Sequence, residues 1–325
     1  IKDESGAIAG IYVHDADGAY TKINCKSVVV TTGDYGNNME MRRYYIPWAD
    51  EFVSFYGNSD AAGTICNTGD GHLMCMWAGA KMELGPHAPM THHMGGALGV
   101  DGYLQLNMEG KRFMNEDIAG QQLENQVELQ PQRKAYQFFD ASWPEQLQYF
   151  PAAHGVACIY REEALPEYTA SGLRINVRTS ADIDTAVEEG RCLKADTIEE
   201  LLGMIEGMDV ETAKASIERY NELAKAGEDT DFGKSSQRLF ALENGPFYAA
   251  ECGCALTLGN LGGLESDEEC HVYSTDREII KGLYVCGAPQ GGRFNVQYPI
   301  SLKGLSSSMC VTYGKIAGEN AAAGK

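Results

Sequence analysis

The feature that most limits the fold is a pair of short apolar strands written at opposite ends of the chain. Ser27-Val28-Val29-Val30-Thr31-Thr32-Gly33 is a β-branched run that closes in small residues, and Gly282-Leu283-Tyr284-Val285-Cys286-Gly287 repeats the style near the other end. Runs of this kind are buried on both faces, the pattern of a parallel sheet, and their C-terminal edge meets a ligand or a tight turn. A helix rich in small residues, from about Gly304 to Ala323, follows the second strand. Two halves of one sheet with a long irregular stretch between them read as an α/β domain interrupted by an insertion. The length of 325 residues suits that reading, because it is long for a single hydrophobic core.

Between these anchors the chain carries its own signals. Residues 7–14 and 19–24 read as strands of a hairpin joined at Asp15-Ala16-Asp17-Gly18. Asn38–Tyr45 reads as a short helix stopped by Pro47, and Asp70–Ala80 as another, entered through Gly69-Asp70-Gly71. From 85 to 166 the text turns irregular and polar, with Arg112-Phe113-Met114-Asn115 strand-like, as a separate α+β unit would be. Thr197-Ile-Glu-Glu200 is a capping box that starts one helix. Val210, Ala213, Ile217, Tyr220 and Ala224 form the apolar stripe of a second, which Asp209 can cap.

Composition excludes several function classes. A formal charge of -20, with Lys and Arg scattered, argues against nucleic-acid and anionic-membrane partners. The apolar runs fall short of the roughly 18 residues of a membrane span, so the chain reads as soluble. Ten cysteines without Cys-x-x-Cys give no zinc framework and are expected as free buried thiols. His87, His92 and His93 lie close together but lack the carboxylates and spacing of a metal set, so no metal is expected. A serine nucleophile elbow is absent too.

Glycine is the outlier, 37 residues gathered in knots such as Gly95-Gly96, Gly262-Gly263 and Gly291-Gly292. Such knots suggest backbone that approaches a ligand closely. After the second strand, Gly287, Ala288, Gly291 and Gly292 lead to a helix entered through Gly304-Leu305-Ser306-Ser307, which places unpaired amides where negative charge is welcome. Phosphate is one candidate, although neither phosphate-loop glycine motif occurs. A flavin, anionic along its N1/O2 edge when reduced, suits the same geometry.

The segment Val28-Val-Val-Thr-Thr-Gly-Asp-Tyr-Gly-Asn-Asn38 resembles the corresponding stretch of the FAD-dependent fumarate reductase and succinate dehydrogenase flavoproteins. Thr68-Gly-Asp-Gly71 with Trp77-Ala-Gly-Ala80, Arg112-Phe-Met-Asn-Glu116, Tyr220-Asn-Glu222 with Asp229-Thr-Asp-Phe-Gly233, Ile280–Gly287 and Gly314–Ala322 continue the resemblance in order. It implies a remnant of a Rossmann-like FAD-binding domain, residues 1–84 and 256–325, interrupted by an α+β capping domain over residues 85–255. It further implies that the chain is the C-terminal portion of a longer flavoprotein. The βαβ unit that would hold the ADP half of FAD is not in these residues, so FAD is expected to bind weakly or not at all to this chain alone.

Carried over residue by residue, the resemblance implies cofactor contacts at Thr32, Gly33, Asp70, Gly287, Ala288, Gly291, Gly292, Gly304, Leu305, Ser306 and Ser307. It implies a substrate-side histidine at His87. The proton-delivering arginine expected after the Arg112–Glu116 motif is missing from Asp117–Gln122. The second capping-domain histidine is replaced within Ala255–Gly263, and the arginine expected beside the late glycine pair is missing. In its place stands Gly291-Gly-Arg-Phe-Asn-Val-Gln-Tyr-Pro-Ile-Ser301, whose Tyr-Pro pair is similar to tricarballylate and 3-ketosteroid dehydrogenases. That similarity makes Tyr298 the candidate acid and Arg293 the candidate anion clamp. The expected activity is hydride transfer between flavin N5 and an activated carbon-carbon bond, with a small unsaturated acid as the substrate class and an external electron donor as a further partner. A 3-ketosteroid-type dehydrogenase and a non-catalytic scaffold that binds no FAD stay open as alternatives.

Overall fold

The computed structural model describes the chain except residues 16, 48–53, 56–58, 93–95, 119–122, 124–125, 151–155, 163–173, 254–255, 295–297, 300–301, 303 and 325. Its strands are β1 Gly10–His14, β2 Tyr20–Asn24, β3 Val28–Val30, β4 Ser54–Phe55, β5 Pro89–His92, β6 Leu104–Asn107, β7 Lys134–Asp140, β8 Val156–Tyr160, β9 Arg174–Arg178, β10 Leu193–Ala195, β11 Phe247–Gly253, β12 Leu256–Asn260, β13 His271–Tyr273 and β14 Ile279–Val285. Its helices are α1 Met39–Tyr45, α2 Asp70–Trp77, α3 Trp143–Gln146, α4 Ser180–Glu188, α5 Ile198–Gly203, α6 Val210–Ala226 and α7 Leu305–Ala323. The chain divides into two compact units, Ile1–Met90 with Leu256–Lys325, and Thr91–Ala255. Residues 85–90 therefore group with the first unit.

In the first unit the two anchor strands meet. β14 runs parallel to β3, with Leu283 opposite Val28 and Val285 opposite Val30, and antiparallel to β13. Alternation sorts their side chains: Val30, Leu283 and Val285 join Tyr35, Met41, Cys75 and Leu264 on one face. Tyr284 and Cys286 turn the other way, against Ala317 of α7. Fully burying a side chain of this size stabilises by about 1.5–3 kcal/mol. The expected hairpin forms as β1 and β2, in register from Gly10 opposite Asn24 to His14 opposite Tyr20. The side chain of Asn38 caps α1 by accepting from Met41 N–H at 3.0 Å. α2 is shorter than the sequence suggests. Gly79 adopts φ 91°, which L side chains reach only with strain, and Ala80 leaves the helix to bridge Ser274.

The second unit is built on the antiparallel sheet β10-β11-β7-β6. Neighbouring residues of β7 bury opposite faces: Phe138 packs with Leu201, Ile217 and Leu223, whereas Phe139 stacks on Tyr248 at 5.0 Å. α6 lays Ala213, Ile217, Tyr220 and Leu223 on the sheet, and Asp209 caps it by accepting from Thr212 N–H at 3.0 Å. The capping box of α5 is present, with Thr197 and Glu200 each accepting the other's N–H at 3.2 Å. Arg112–Asn115 is not a strand: Arg112 makes one isolated bridge to Leu106. Its guanidinium instead enters a buried ion cluster with Glu116 and Asp229, while Met114 packs with Leu123, Val127 and Ala135.

Among the described residues the free thiols of Cys75, Cys192, Cys252, Cys270 and Cys286 are buried, Cys25 and Cys66 are half-buried, and Cys310 is exposed on α7, against the expectation of buried thiols. His93, Gly95, residues 119–122 and Ala255 lie outside the described residues. Among those described, no His/Cys/Asp/Glu group could hold a metal ion, and no helix is long and apolar enough to cross a membrane.

Candidate functional site

Because β3 and β14 are parallel, their C-terminal ends open at the same edge of the sheet, where ligands bind in open α/β sheets. Cys286 N–H donates to Val30 O at 3.1 Å, so Thr31-Thr32 and Gly287-Ala288 leave this edge side by side. Thr32 is exposed there, and a Cβ on Gly71 would overlap its side chain. Glycine thus lets α2 close on the strand end. Gly33 turns at φ 79°. Asp70 is exposed at the first residue of α2, where it accepts from the Thr68 hydroxyl at 2.8 Å.

The turn after Gly33 is pinned by groups the sequence did not advertise. The buried Asp34 carboxylate accepts the amide of Gly36, the Asn260 N–H at 2.8 Å and the Asn260 side-chain amide at 3.3 Å, which ties the turn to the end of β12. Burial pushes Asp34 above the ordinary carboxylate range, and these hydrogen bonds oppose that shift.

Next to Asp34, the Tyr35 hydroxyl and His87 Nδ1 are 2.7 Å apart, and His87 Nε2 lies 3.1 Å from Glu83 O. A carbonyl can only accept, so Nε2 carries the hydrogen and Nδ1 accepts from Tyr35. The ring is also stacked on Tyr45 at 4.6 Å, and burial lowers its pKa. His87 is therefore a buried neutral imidazole with both nitrogens committed, rather than a side chain presented to substrate. Nearby His72 is wholly buried and its pKa is pushed down to about 4 by desolvation, and among the described residues neither ring nitrogen has a hydrogen-bond partner.

The glycine loop follows β14. Arg293 is half-buried and folds back on the loop, donating from Nε to Gln290 O at 2.8 Å and from Nη2 to Ala288 O at 3.1 Å. Desolvation lowers its pKa, while Cys310, Glu83 and Asp34 oppose the shift. Gly291 is buried. Gly292, at φ 71°, and Gly304, at φ 74°, are exposed, and an added Cβ at either would meet nothing within 4 Å. Gly304 precedes α7 without a side-chain cap of its own, leaving Leu305 and Ser306 half-buried and Ser307 exposed in the first turn. The Tyr298 hydroxyl accepts from Ser306 N–H at 3.1 Å, so the phenol sits at the positive end of a 19-residue helix, and this bond leaves its own hydrogen uncommitted among the described residues. The first unit thus gathers Gly287, Ala288, Gly291, Gly292 and Arg293 in one loop, and Tyr298 with Gly304–Ser307 at one helix start.

The FAD binding domain family profile matches residues 1–301. The chain belongs to that family. It is 27% identical to a "Fumarate reductase (cytochrome)" of Shewanella frigidimarina over 99% of its length and 50% of the relative's. It is 28% identical to a 3-oxosteroid 1-dehydrogenase of Mycolicibacterium smegmatis over 98% of its length and 57% of the relative's. The chain thus spans about half the length of the curated relatives it matches. Among solved structures, a 3-ketosteroid-Δ4-(5α)-dehydrogenase of Rhodococcus jostii superposes with a TM-score of 0.72 at 21% identity, over 100% of this chain and 58% of that one. A flavocytochrome c3 fumarate reductase superposes at 0.59 and 24%, over 100% and 51%. At such identities these likenesses establish a shared mixed α/β fold.

On the structure's own terms the residues are compatible with a flavin: exposed Gly292 and Gly304 have open space at their Cβ positions, a 19-residue helix starts at Leu305, and Arg293 supplies a half-buried cation. Asp34, Tyr35, Glu83 and Asn260 escaped sequence reading. A local signal existed only for Asp34, whose Gly33-Asp34-Tyr35-Gly36 setting marks a turn-forming carboxylate.

Proposed function

We propose that the protein carrying this chain is an FAD-dependent oxidoreductase that reduces or forms a carbon-carbon bond next to an electron-withdrawing group. The first unit would be the later part of a Rossmann-like FAD-binding domain, and residues Thr91–Ala255 its capping domain. When bound, FAD supplies the hydride donor or acceptor. The amide of Ser307 and the side chains of Thr32 and Asp70 would hold it, with Gly33, Gly287, Ala288, Gly291, Gly292, Gly304, Leu305 and Ser306 shaping the backbone around it. Tyr298 moves the proton: its oxygen is fixed by Ser306 N–H, and its hydrogen points away from that bond. Arg293 orients an anionic substrate through Nη1, since Nε and Nη2 are spent on loop carbonyls. His87 holds Tyr35 and the Glu83 backbone in place.

The observation that carries the reading is the Tyr298–Ser306 contact at the start of α7, within a chain matched to the FAD-binding family over residues 1–301. A small α,β-unsaturated acid is the preferred substrate class, because the half-buried Arg293 charge suits a carboxylate better than a sterol. The reading is tested by assaying the flavin-loaded protein with α,β-unsaturated acids and with 3-ketosteroids. It predicts turnover of acids and a raised KM for them in Arg293→Gln. Turnover confined to ketosteroids, with Arg293→Gln without effect, would overturn the acid assignment.

A further inference from the structure

Glu83 holds a position in the first unit that no motif assigns. It lies between α2 and His87, and its N–H donates to Gly263 O at 2.9 Å, continuing the bridge of Met82 to Leu264. Its carboxylate then accepts two backbone amides from different loops: Oε2 from Gly263 N–H at 2.8 Å and Oε1 from Gly292 N–H at 2.8 Å. Its own carbonyl accepts from His87 Nε2 at 3.1 Å. One residue therefore joins the Gly262-Gly263 pair, the Gly291-Gly292 pair and the buried imidazole.

The surrounding backbone is close enough that only glycine fits. Leu264 N–H donates to Pro289 O and Gly291 N–H to Leu264 O, both at 2.8 Å, which brings the two loops into register. An added Cβ on Gly291 would lie 2.8 Å from the Glu83 carboxyl carbon, and one on Gly263 would overlap the Pro289 carbonyl. Without Glu83, the amide of Gly292 would lose its anchor at the point where the loop turns outward with φ 71°. Hydrogen bonds to an ionised acceptor are about twice as strong as neutral ones, so a doubly accepting carboxylate is a strong local restraint.

We propose that Glu83 is the positioning residue of the cofactor-facing glycine loops, a carboxylate clamp that holds the outward turn at Gly292 and the Arg293 loop in the arrangement that receives the flavin. The proposal rests on the FAD reading above. A carboxylate is needed because both amides donate. A glutamine in its place keeps one acceptor and turns an NH2 group toward the other amide.

The test compares Glu83→Gln and Glu83→Ala with the wild-type protein in two independent measurements. In the protein without FAD, amide exchange of Gly263 and Gly292 is followed by NMR, with amides of the β3–β14 pair as the internal reference. The clamp predicts faster exchange at both glycines, more in Glu83→Ala than in Glu83→Gln, with the strand amides unchanged. In the second measurement FAD is titrated and the visible circular dichroism of the bound flavin recorded. FAD affinity is expected to fall by at least about tenfold in Glu83→Ala, with an altered flavin spectrum, and Glu83→Gln to lie between. Unchanged exchange at Gly292 overturns the clamp, and faster exchange with unchanged FAD affinity and spectrum overturns its positioning role. A wild-type protein that carries this chain together with the residues for the ADP half of FAD, and still binds no FAD, overturns the cofactor reading and with it the positioning role, while the exchange data still decide whether the clamp exists.

Discussion

Both units bury charge, and they use it in opposite ways. In the second unit Arg112 donates to Glu116 at 2.9 Å and to Asp229 at 2.7 Å, while the wholly buried Lys234 donates to Gly102 O at 2.6 Å and Tyr220 OH at 2.9 Å and lies 3.3 Å from Glu116. The Arg112 guanidinium is also sandwiched between the rings of Tyr220 and Phe232, 4.9 Å from each. Two cations and two anions cancel inside the fold. In the first unit the carboxylates of buried Asp34 and half-buried Glu83 accept backbone amides instead of forming ion pairs, and the amides they fix lie in or beside glycine loops. Charge closes the second unit upon itself, whereas in the first it holds the backbone of glycine loops.

The largest effect that would sharpen this contrast is expected from breaking the closed cluster. Asp229→Ala leaves Arg112 short of a partner in the interior and should lower unfolding free energy by about 3–5 kcal/mol, measured by denaturant titration. A loss near zero would show that the cluster is solvated and break the contrast. In the first unit the matching change is Tyr298→Phe, whose effect should fall on turnover. A fall of about 100-fold in kcat, with melting nearly unchanged, is expected for loss of a proton donor. A large drop in stability with kcat preserved would make Tyr298 a helix cap only.

Acid should also separate the units. Desolvation opposes it, yet the hydrogen bonds from Arg112 and from backbone amides hold Asp229 at about 2 against its ordinary 3.8. A carboxylate depressed on folding contributes stability that is complete above its unfolded value and lost as pH falls through its folded one. Its share, roughly 2 kcal/mol, is therefore present above pH 3.8 and disappears toward pH 2. Equilibrium unfolding measured across that range should show the loss, and Asp229→Asn should flatten it. The smallest effect is local: Asp209→Ala removes the cap of α6 and should cost about 1 kcal/mol of stability without touching FAD affinity.

What the sequence disclosed follows the range of the interactions. β3 and β14 were legible because β-branched runs announce themselves, and Thr197, Asp209 and the β1–β2 hairpin because their partners lie within a few residues. The end of α2 was misjudged because Ala78-Gly79-Ala80 reads as helix until the φ of Gly79 is known. Arg112–Asn115 was misread because residues burying an ion cluster look like those burying a strand. Of the site, Tyr298 and Arg293 were visible through motif likeness. The Asp34–Asn260 contact, 226 residues apart, and the Glu83 bridge to Gly292, 209 apart, left no local trace.

The central claim is that the first unit's glycine loops and the start of α7 receive FAD. Titrating FAD into the purified protein that carries this chain, with the residues that hold the ADP half of FAD, while recording the flavin absorption spectrum and the melting temperature tests it most directly. The account predicts a shifted, saturable spectrum and a melting temperature that rises with FAD concentration, both lost in Gly292→Val. An unperturbed flavin spectrum with a constant melting temperature, or binding indifferent to Gly292→Val, would contradict it.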